Sequence, residues 1–183
     1  MKNAIRNFAL TLAAAVVLAP FAQGAVSVAQ SKKGLTGLEK EIRHELVMLP
    51  YFGVFDNLEF QVNGDEVVLL GQVTRPTLRS DAERLVKRIE GVERVVNQIE
   101  VLPLSPFDDR IRLATYRSLY SFGPLSRYNQ GPVPPIHIIV KNGNVTLKGF
   151  VANDTDRNLA NIRANQVSSV FSVTNDLKVD KNS

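Results

Sequence analysis

Val67-Val68-Leu69-Leu70-Gly71-Gln72-Val73 and Val145-Thr146-Leu147-Lys148-Gly149-Phe150-Val151 lie 78 residues apart and carry valine, leucine, glycine and valine at the same alternate positions. The echo spreads outward from them without a gap. Val62 recurs as Val140, and Ala82, Val92, Val95, Asn97, Ile99 and Val101 recur as Ala160, Val170, Val173, Asn175, Leu177 and Val179. Self-similarity at a fixed period marks one small fold used twice. Any function therefore belongs to the unit, to one copy, or to the pair.

Periodicity changes along the unit and gives its elements. Leu38, Ile42, Glu45, Leu46 and Leu49 recur at three- and four-residue steps, which predicts a helix over 37–49 ended by Pro50. Leu58 to Val62 alternates with period two, Asn63-Gly64-Asp65 supplies turn chemistry and Val67 to Val73 returns, so 57–74 reads as a hairpin. Thr77 or Ser80 is placed to cap a helix through about Ile89, with Leu78, Ala82, Leu85, Val86 and Ile89 on its apolar face. Gly91 stops that helix as a left-handed residue, and 92–102 forms a third strand with Val95, Asn97, Ile99 and Val101 on one face. The predicted class is α+β: a two-layer sandwich in which both helices cover one face of a mixed three-stranded sheet. The last strand arrives by a crossover, which favours parallel pairing with a hairpin strand.

The second copy starts at Phe107, with a helix to about Tyr120, a hairpin over 136–151, a helix over about 155–166 and a last strand over 170–179. Its loop from Ser121 to Pro135 holds Gly123, Pro124, Gly131, Pro132, Pro134 and Pro135, too proline-rich for a helix or a central strand. Pro103-Leu104-Ser105-Pro106 reads as a short, stiff linker between domains at 36–102 and 107–180.

A duplicated unit of this order, with V-x-L-x-G-x-V in the hairpin and G-V-x-x-V-x-N-x-I-x-V at its end, resembles the bacterial OsmY and nodulation (BON) domain family. In the first copy the match is Val67, Leu69, Gly71, Val73, Gly91, Val92, Val95, Asn97, Ile99 and Val101; the second keeps Gly149 and Asn175 but has Ser169 in place of Gly91. Two copies behind a secretion signal are similar to the osmotically inducible periplasmic members of that family. The resemblance implies an envelope protein that associates with phospholipid surfaces or other envelope proteins, with neither catalytic machinery nor a cofactor.

Lys2 and Arg6 precede an apolar run from Phe8 to Leu18, followed by Pro20 and small residues to Ala29, the order of a cleavable signal over 1–29 and hence of a periplasmic protein. Cleavage after Gly24 or after Ala29 fits the small-x-small rule. The run is about half of the roughly 20 residues that span a bilayer. Without cysteine, neither disulfides nor thiolate metal sites hold the chain together. Residues 34–106 hold 8 basic and 12 acidic residues, a net of −4, whereas 107–183 hold 10 and 6, a net of +4. This dipole of domains argues against a nucleic-acid coat, which needs one continuous basic surface, and nominates the second copy for an anionic partner.

The chain offers no catalytic constellation. His44 and His137 stand in different copies outside any metal-ligand spacing, and each reads as a partly exposed histidine. Asp108-Asp109 and Asp154-Thr155-Asp156 read as helix caps rather than cation ligands. Gly71 and Gly149, glycines inside strands, mark close packing or a bulge, or a ligand meeting the backbone. At about 100° per residue the helix from Phe107 places Phe107, Ile111, Ala114 and Ser118 on a core stripe. Leu113, Tyr116 and Tyr120 form a second stripe nearly opposite, flanked by Arg112 on one edge and by Arg110 and Arg117 on the other. Such a stripe either packs on the other copy or the long loop, or meets anionic lipid, with Arg127 and Tyr128 as neighbours. The functional expectation is peripheral binding to anionic phospholipid through the second copy. Its alternative is a protein-binding or chaperone-like envelope module.

Overall fold

The computed structural model describes residues 25–29 and 36–180; the apolar run of the expected signal, Phe8 to Leu18, lies outside them. The first copy contains β1 (Val26–Ser27), α1 (Gly37–Val47), β2 (Asn57–Asn63), β3 (Glu66–Val73), α2 (Pro76–Val86), β4 (Arg94–Asn97) and β5 (Glu100–Val101). The second contains α3 (Pro106–Tyr120), α4 (Gly123–Ser126), β6 (Ile136–Lys141), β7 (Asn144–Val151), α5 (Asp154–Asn165), β8 (Ser172–Asn175) and β9 (Lys178–Val179). The predicted α+β plan holds in both. Two mixed sheets form, with the hairpins antiparallel and the last strands parallel to β3 and β7.

Alternation builds each core. Val67, Leu69 and Val73 of β3 are buried with Phe60, Ile42, Leu46, Leu78 and Ala82, and Val145, Leu147 and Val151 of β7 are buried with Ile138, Ile111, Ala160 and Ala164. Thr36 starts α1 with a capping box to Glu39, which satisfies two donors at once. Neither Thr77 nor Ser80 caps α2. That helix begins at Pro76, whose fixed φ and missing N–H suit the first turn, and Ser80 bonds back to the Thr77 carbonyl. The proline-rich loop likewise contains a helical turn, α4, because Pro124 stands at its N-terminus, the helix position that tolerates proline.

The third strand is split, and the repeated asparagine is the reason. Asn97 Oδ1 accepts from the Ile99 N–H at 3.1 Å while its amide donates to the Arg79 carbonyl at 2.9 Å and to Glu83 at 3.0 Å. Asn175 does the same with Leu177 at 3.3 Å and Arg157 at 2.8 Å. Each asparagine pins the break in its strand to the preceding helix, so Ile99 and Leu102 are both buried despite their odd spacing. Ser169 takes the left-handed turn that Gly91 takes in the first copy, with φ of 70° against 87°.

Candidate functional site

The copies meet through segments that lie just before the hairpins. In the first, residues 52–56 form a wedge held by the buried Asp56, whose carboxylate accepts from the Gly53 N–H at 3.1 Å and from the Thr74 N–H and hydroxyl at 2.6 and 2.8 Å. Burial raises the Asp56 pKa, and these hydrogen bonds oppose the shift. The wedge places Val54 and Phe55 against the second core, and the long loop returns Val133 to the first core. The Ile138 N–H donates to the Val54 carbonyl at 2.8 Å. Lys141–Glu100 at 2.5 Å and Lys148–Glu59 at 3.6 Å are ion pairs between the copies.

His137 is fully buried at this junction, not partly exposed, stacked on Phe52 with ring centroids 5.6 Å apart. Strand β6 carries it, and the wedge covers the position from outside. Neither ring nitrogen makes a hydrogen bond of good geometry, though the backbone of Gly53 and Asp56 lies close to the ring. Burial pushes the imidazole pKa down to about 4, overriding the backbone of Gly53 and Asp56, which favours the charged ring. His44 remains exposed on α1.

Helix α3 is rotated from the expected orientation. Asp108, Ile111, Arg112, Thr115 and Leu119 face inward, while Phe107, Ala114 and Ser118 lie only partly covered at one side. The rotation buries Tyr120 of the expected outer stripe and Arg112, expected at its edge. Arg112, 5% exposed, donates to the Val140 carbonyl at 2.8 Å and to Asp109 at 2.5 Å. Tyr120 donates to the Ile136 carbonyl at 2.7 Å, and burial raises its pKa. Tyr116 packs edge-on to Phe55 at 6.2 Å and tilts against Tyr120 at 4.9 Å, with its hydroxyl on Asn129 at 3.0 Å. The tyrosine stripe thus packs on the other copy and the long loop, the first of the two readings open to the sequence.

Two further candidates are tied up by one carboxylate. Arg127 pairs with Asp156, and the Tyr128 hydroxyl donates to the same carboxylate at 2.5 Å. That carboxylate does not cap α5; Asn153 does, accepting from the Asp156 N–H at 2.8 Å. Asp108 departs from the expectation in the same way. Ser105 caps α3, and the buried Asp108 accepts instead from the Asn142 and Gly143 N–H groups at 3.0 and 2.8 Å, closing the hairpin turn onto the helix. Asp108→Ala is expected to lower unfolding free energy by about 2–3 kcal/mol, because two covered donors lose a charged acceptor. Urea unfolding measures this, and a loss below about 0.5 kcal/mol would show the contacts to be dispensable.

What remains on the outer side of α3 is Arg110, Leu113 and Arg117, with exposed Asp109 beside them held by Arg112. Leu113 is 47% exposed between Arg110 and Arg117, neither of which forms an ion pair among the described residues. Arg110 lies over the Phe107 ring at 5.9 Å, and Phe107 meets Phe171 at 5.8 Å. Phe171 is 72% exposed. Neither phenylalanine stood out as a site residue, yet the repeat itself marks one: the first copy has Glu93 at the position of Phe171. Beside Leu113 a cleft of about 520 Å³ opens between α3, the linker and Arg75, floored by Phe55 and Leu102. Exposed Leu104 stands at its edge. Among the described residues no group of three or more His, Asp or Glu side chains could hold a metal ion, and no helix is long and apolar enough to cross a membrane.

Gly71 and Gly149 serve packing. A Cβ on Gly71 would sit 2.1 Å from the Asn57 carbonyl oxygen, and one on Gly149 would sit 2.0 Å from that of Pro135. The neighbouring backbone, not a ligand, fills the space.

The family model of the BON domain matches residues 35–103 and 126–181. Helix α3 precedes the second match. No curated protein matches the chain. Among solved structures, two of CdsD, a structural protein of the type III secretion system of Chlamydia trachomatis, align at 13% identity over 80% of this chain. They are covered to 94% and 98%, the second being its C-terminal domain, with TM-scores of 0.30 and 0.29.

Proposed function

Because the chain belongs to the BON domain family and carries two such domains in tandem, we propose that it is a non-catalytic periplasmic envelope protein that binds anionic phospholipid surfaces, mainly through its second domain. BON domains form a non-catalytic, envelope-associated family, which supports the class of function. The observation that carries the lipid reading is the outer side of α3, where Leu113 stands exposed between Arg110 and Arg117, which form no ion pair among the described residues, in the half of the chain (107–183) with net charge +4. Arginine approaches an anionic headgroup with its charge and lies along the interface with its stem. Each contributes roughly 1 kcal/mol near such a surface, a weak and reversible attraction. Leu113 and the Phe171 ring then insert shallowly, and the partly covered Phe107 supports Arg110 from below. Arg112, Tyr116, Tyr120, Arg127 and Tyr128 serve this surface indirectly, by fixing α3 and its loop.

The test is cosedimentation with vesicles. Binding to phosphatidylglycerol-containing vesicles and not to phosphatidylcholine vesicles is expected, suppressed by raising salt from about 0.05 to 0.5 M as screening shortens. Arg110→Glu with Arg117→Glu is expected to weaken binding about tenfold or more, since about 2 kcal/mol of attraction disappears. Equal recovery with both vesicle types defeats the proposal. An envelope protein retained equally by wild type and the double variant favours the protein-binding alternative instead.

A further inference from the structure

Residues 25–29 fall within the expected signal over 1–29, yet they are built into the first domain. Val26 and Ser27 pair antiparallel with Phe60 and Glu59 on the outer edge of β2, and the Val28 N–H donates to the Leu58 carbonyl at 3.1 Å. Val28 is 1% exposed within the first core, and Val26 packs partly buried against it. Ser27 is buried as well, and its hydroxyl accepts from the Ala29 N–H at 3.3 Å. An apolar, polar, apolar alternation thus behaves as a short strand.

The repeat shows that this edge needs a cover. Ile138 occupies in the second copy the place of Phe60 in the first, 78 residues earlier. Its N–H is met by the Val54 carbonyl, supplied by the other copy. In the first domain, then, residues 26–28 close the outer edge of the first hairpin strand; in the second, the first copy meets the Ile138 donor while Tyr120 and Arg112 of α3 meet the Ile136 and Val140 carbonyls. An uncovered edge strand presents free backbone donors and acceptors and invites pairing between chains.

We infer that the export signal is cut after Gly24, so that Ala25 is the first residue of the mature protein and β1 its first strand. Two of the bonds that satisfy the small-x-small rule bracket this strand, Gly24–Ala25 and Ala29–Gln30. Cutting the second removes the whole strand, empties the Val28 site and exposes the edge of β2. Cutting the first leaves every one of those contacts in place. Folding therefore favours the first of the bonds that the processing rule allows.

The full chain, expressed with its own signal in a bacterial host and recovered from the periplasm, is to be read by intact mass and N-terminal sequencing. A mature chain beginning at Ala25 is expected. Ala22→Leu should accumulate uncut precursor, whereas Ala29→Leu should leave the cut site unchanged. A mature chain beginning at Gln30 overturns the inference. An uncut wild-type chain overturns it together with the export reading, while a start at Gln30 leaves export intact. Comparison of the two candidate mature forms supplies an independent check: the chain starting at Gln30 is expected to melt lower by on the order of 10 °C, from loss of a buried valine and its ladder bonds. Equal melting temperatures would also overturn it.

Discussion

Gly149→Ala is expected to lower the free energy of unfolding by on the order of 4 kcal/mol, and Gly71→Ala by a similar amount, enough to leave a domain of ordinary stability partly unfolded. Two costs combine. Each glycine has a φ that L side chains rarely adopt, 118° at Gly71 and 108° at Gly149. Each also faces a carbonyl oxygen about 2 Å from where a Cβ would stand, belonging to backbone that cannot swing aside as a side-chain end can. Gly64→Ala separates the two. Gly64 has φ of 67° but nothing within 4 Å of its Cβ position, so only the backbone cost of about 1 kcal/mol applies. Urea unfolding of the three variants measures the difference. If Gly71→Ala and Gly149→Ala lose no more than Gly64→Ala, the close approach of the neighbouring strand does not govern these positions.

The second large effect follows pH. His137 has an ordinary pKa of 6.5 and a folded value of about 4, because burial disfavours the charged ring. Below pH 6.5 the unfolded chain takes up a proton that the folded chain refuses, so stability falls with acidification and levels off near pH 4. The full loss is about 3 kcal/mol, with about 2 kcal/mol already gone at pH 5. Asp56, the other buried titrating group of the junction, works with the opposite sign. Its pKa is raised, so its contribution to stability is lost as pH rises through its titration, and acidification relieves it. The acid-side loss is therefore assigned by substitution. His137→Leu keeps an apolar side chain of similar size against Phe52 and removes the two nitrogens that lack a good hydrogen bond. Its stability should be at least that of wild type at pH 7.5 and should change little down to pH 5, while wild type declines. Identical pH dependence in the two proteins would show that His137 does not carry the acid sensitivity.

The hairpins and their glycines were legible because a strand repeats every two residues and an internal glycine costs stability unless something occupies its space. Helix α3 was legible as a helix but not in its rotation. An angular rule that places aromatic residues and leucines inward cannot know that the carbonyl of Val140 ends up beneath Arg112, ready to bind its guanidinium. Nor can it know that the turn at Asn142 and Gly143 needs a buried carboxylate, which turns Asp108 inward and Leu113 outward. Both partners exist only after the β6–β7 hairpin has formed. The burial of His137 escaped for a related reason: Phe52, 85 residues earlier in the chain, is what covers it. Val26 to Val28 were hidden differently, since a short alternation beside a cleavage motif reads first as part of the signal. Phe171 was visible as a departure from the repeat, glutamate in one copy and phenylalanine in the other, though not as a neighbour of Phe107.

Residues 52–56 and Val133 have a consequence for how the duplication can diverge. Val54 and Phe55 belong by sequence to the first copy and by burial to the second, and Val133 has the reverse allegiance. Full burial of side chains of this size stabilises by about 1.5–3 kcal/mol; these three are partly buried, so each domain draws a fraction of that from residues outside its own repeat. A mutation in either segment is inherited with one domain and felt in the other. Once these crossed insertions formed, neither copy could drift, be shuffled or be lost alone without opening its sibling's interior. The two repeats are separable in sequence but interlocked in packing.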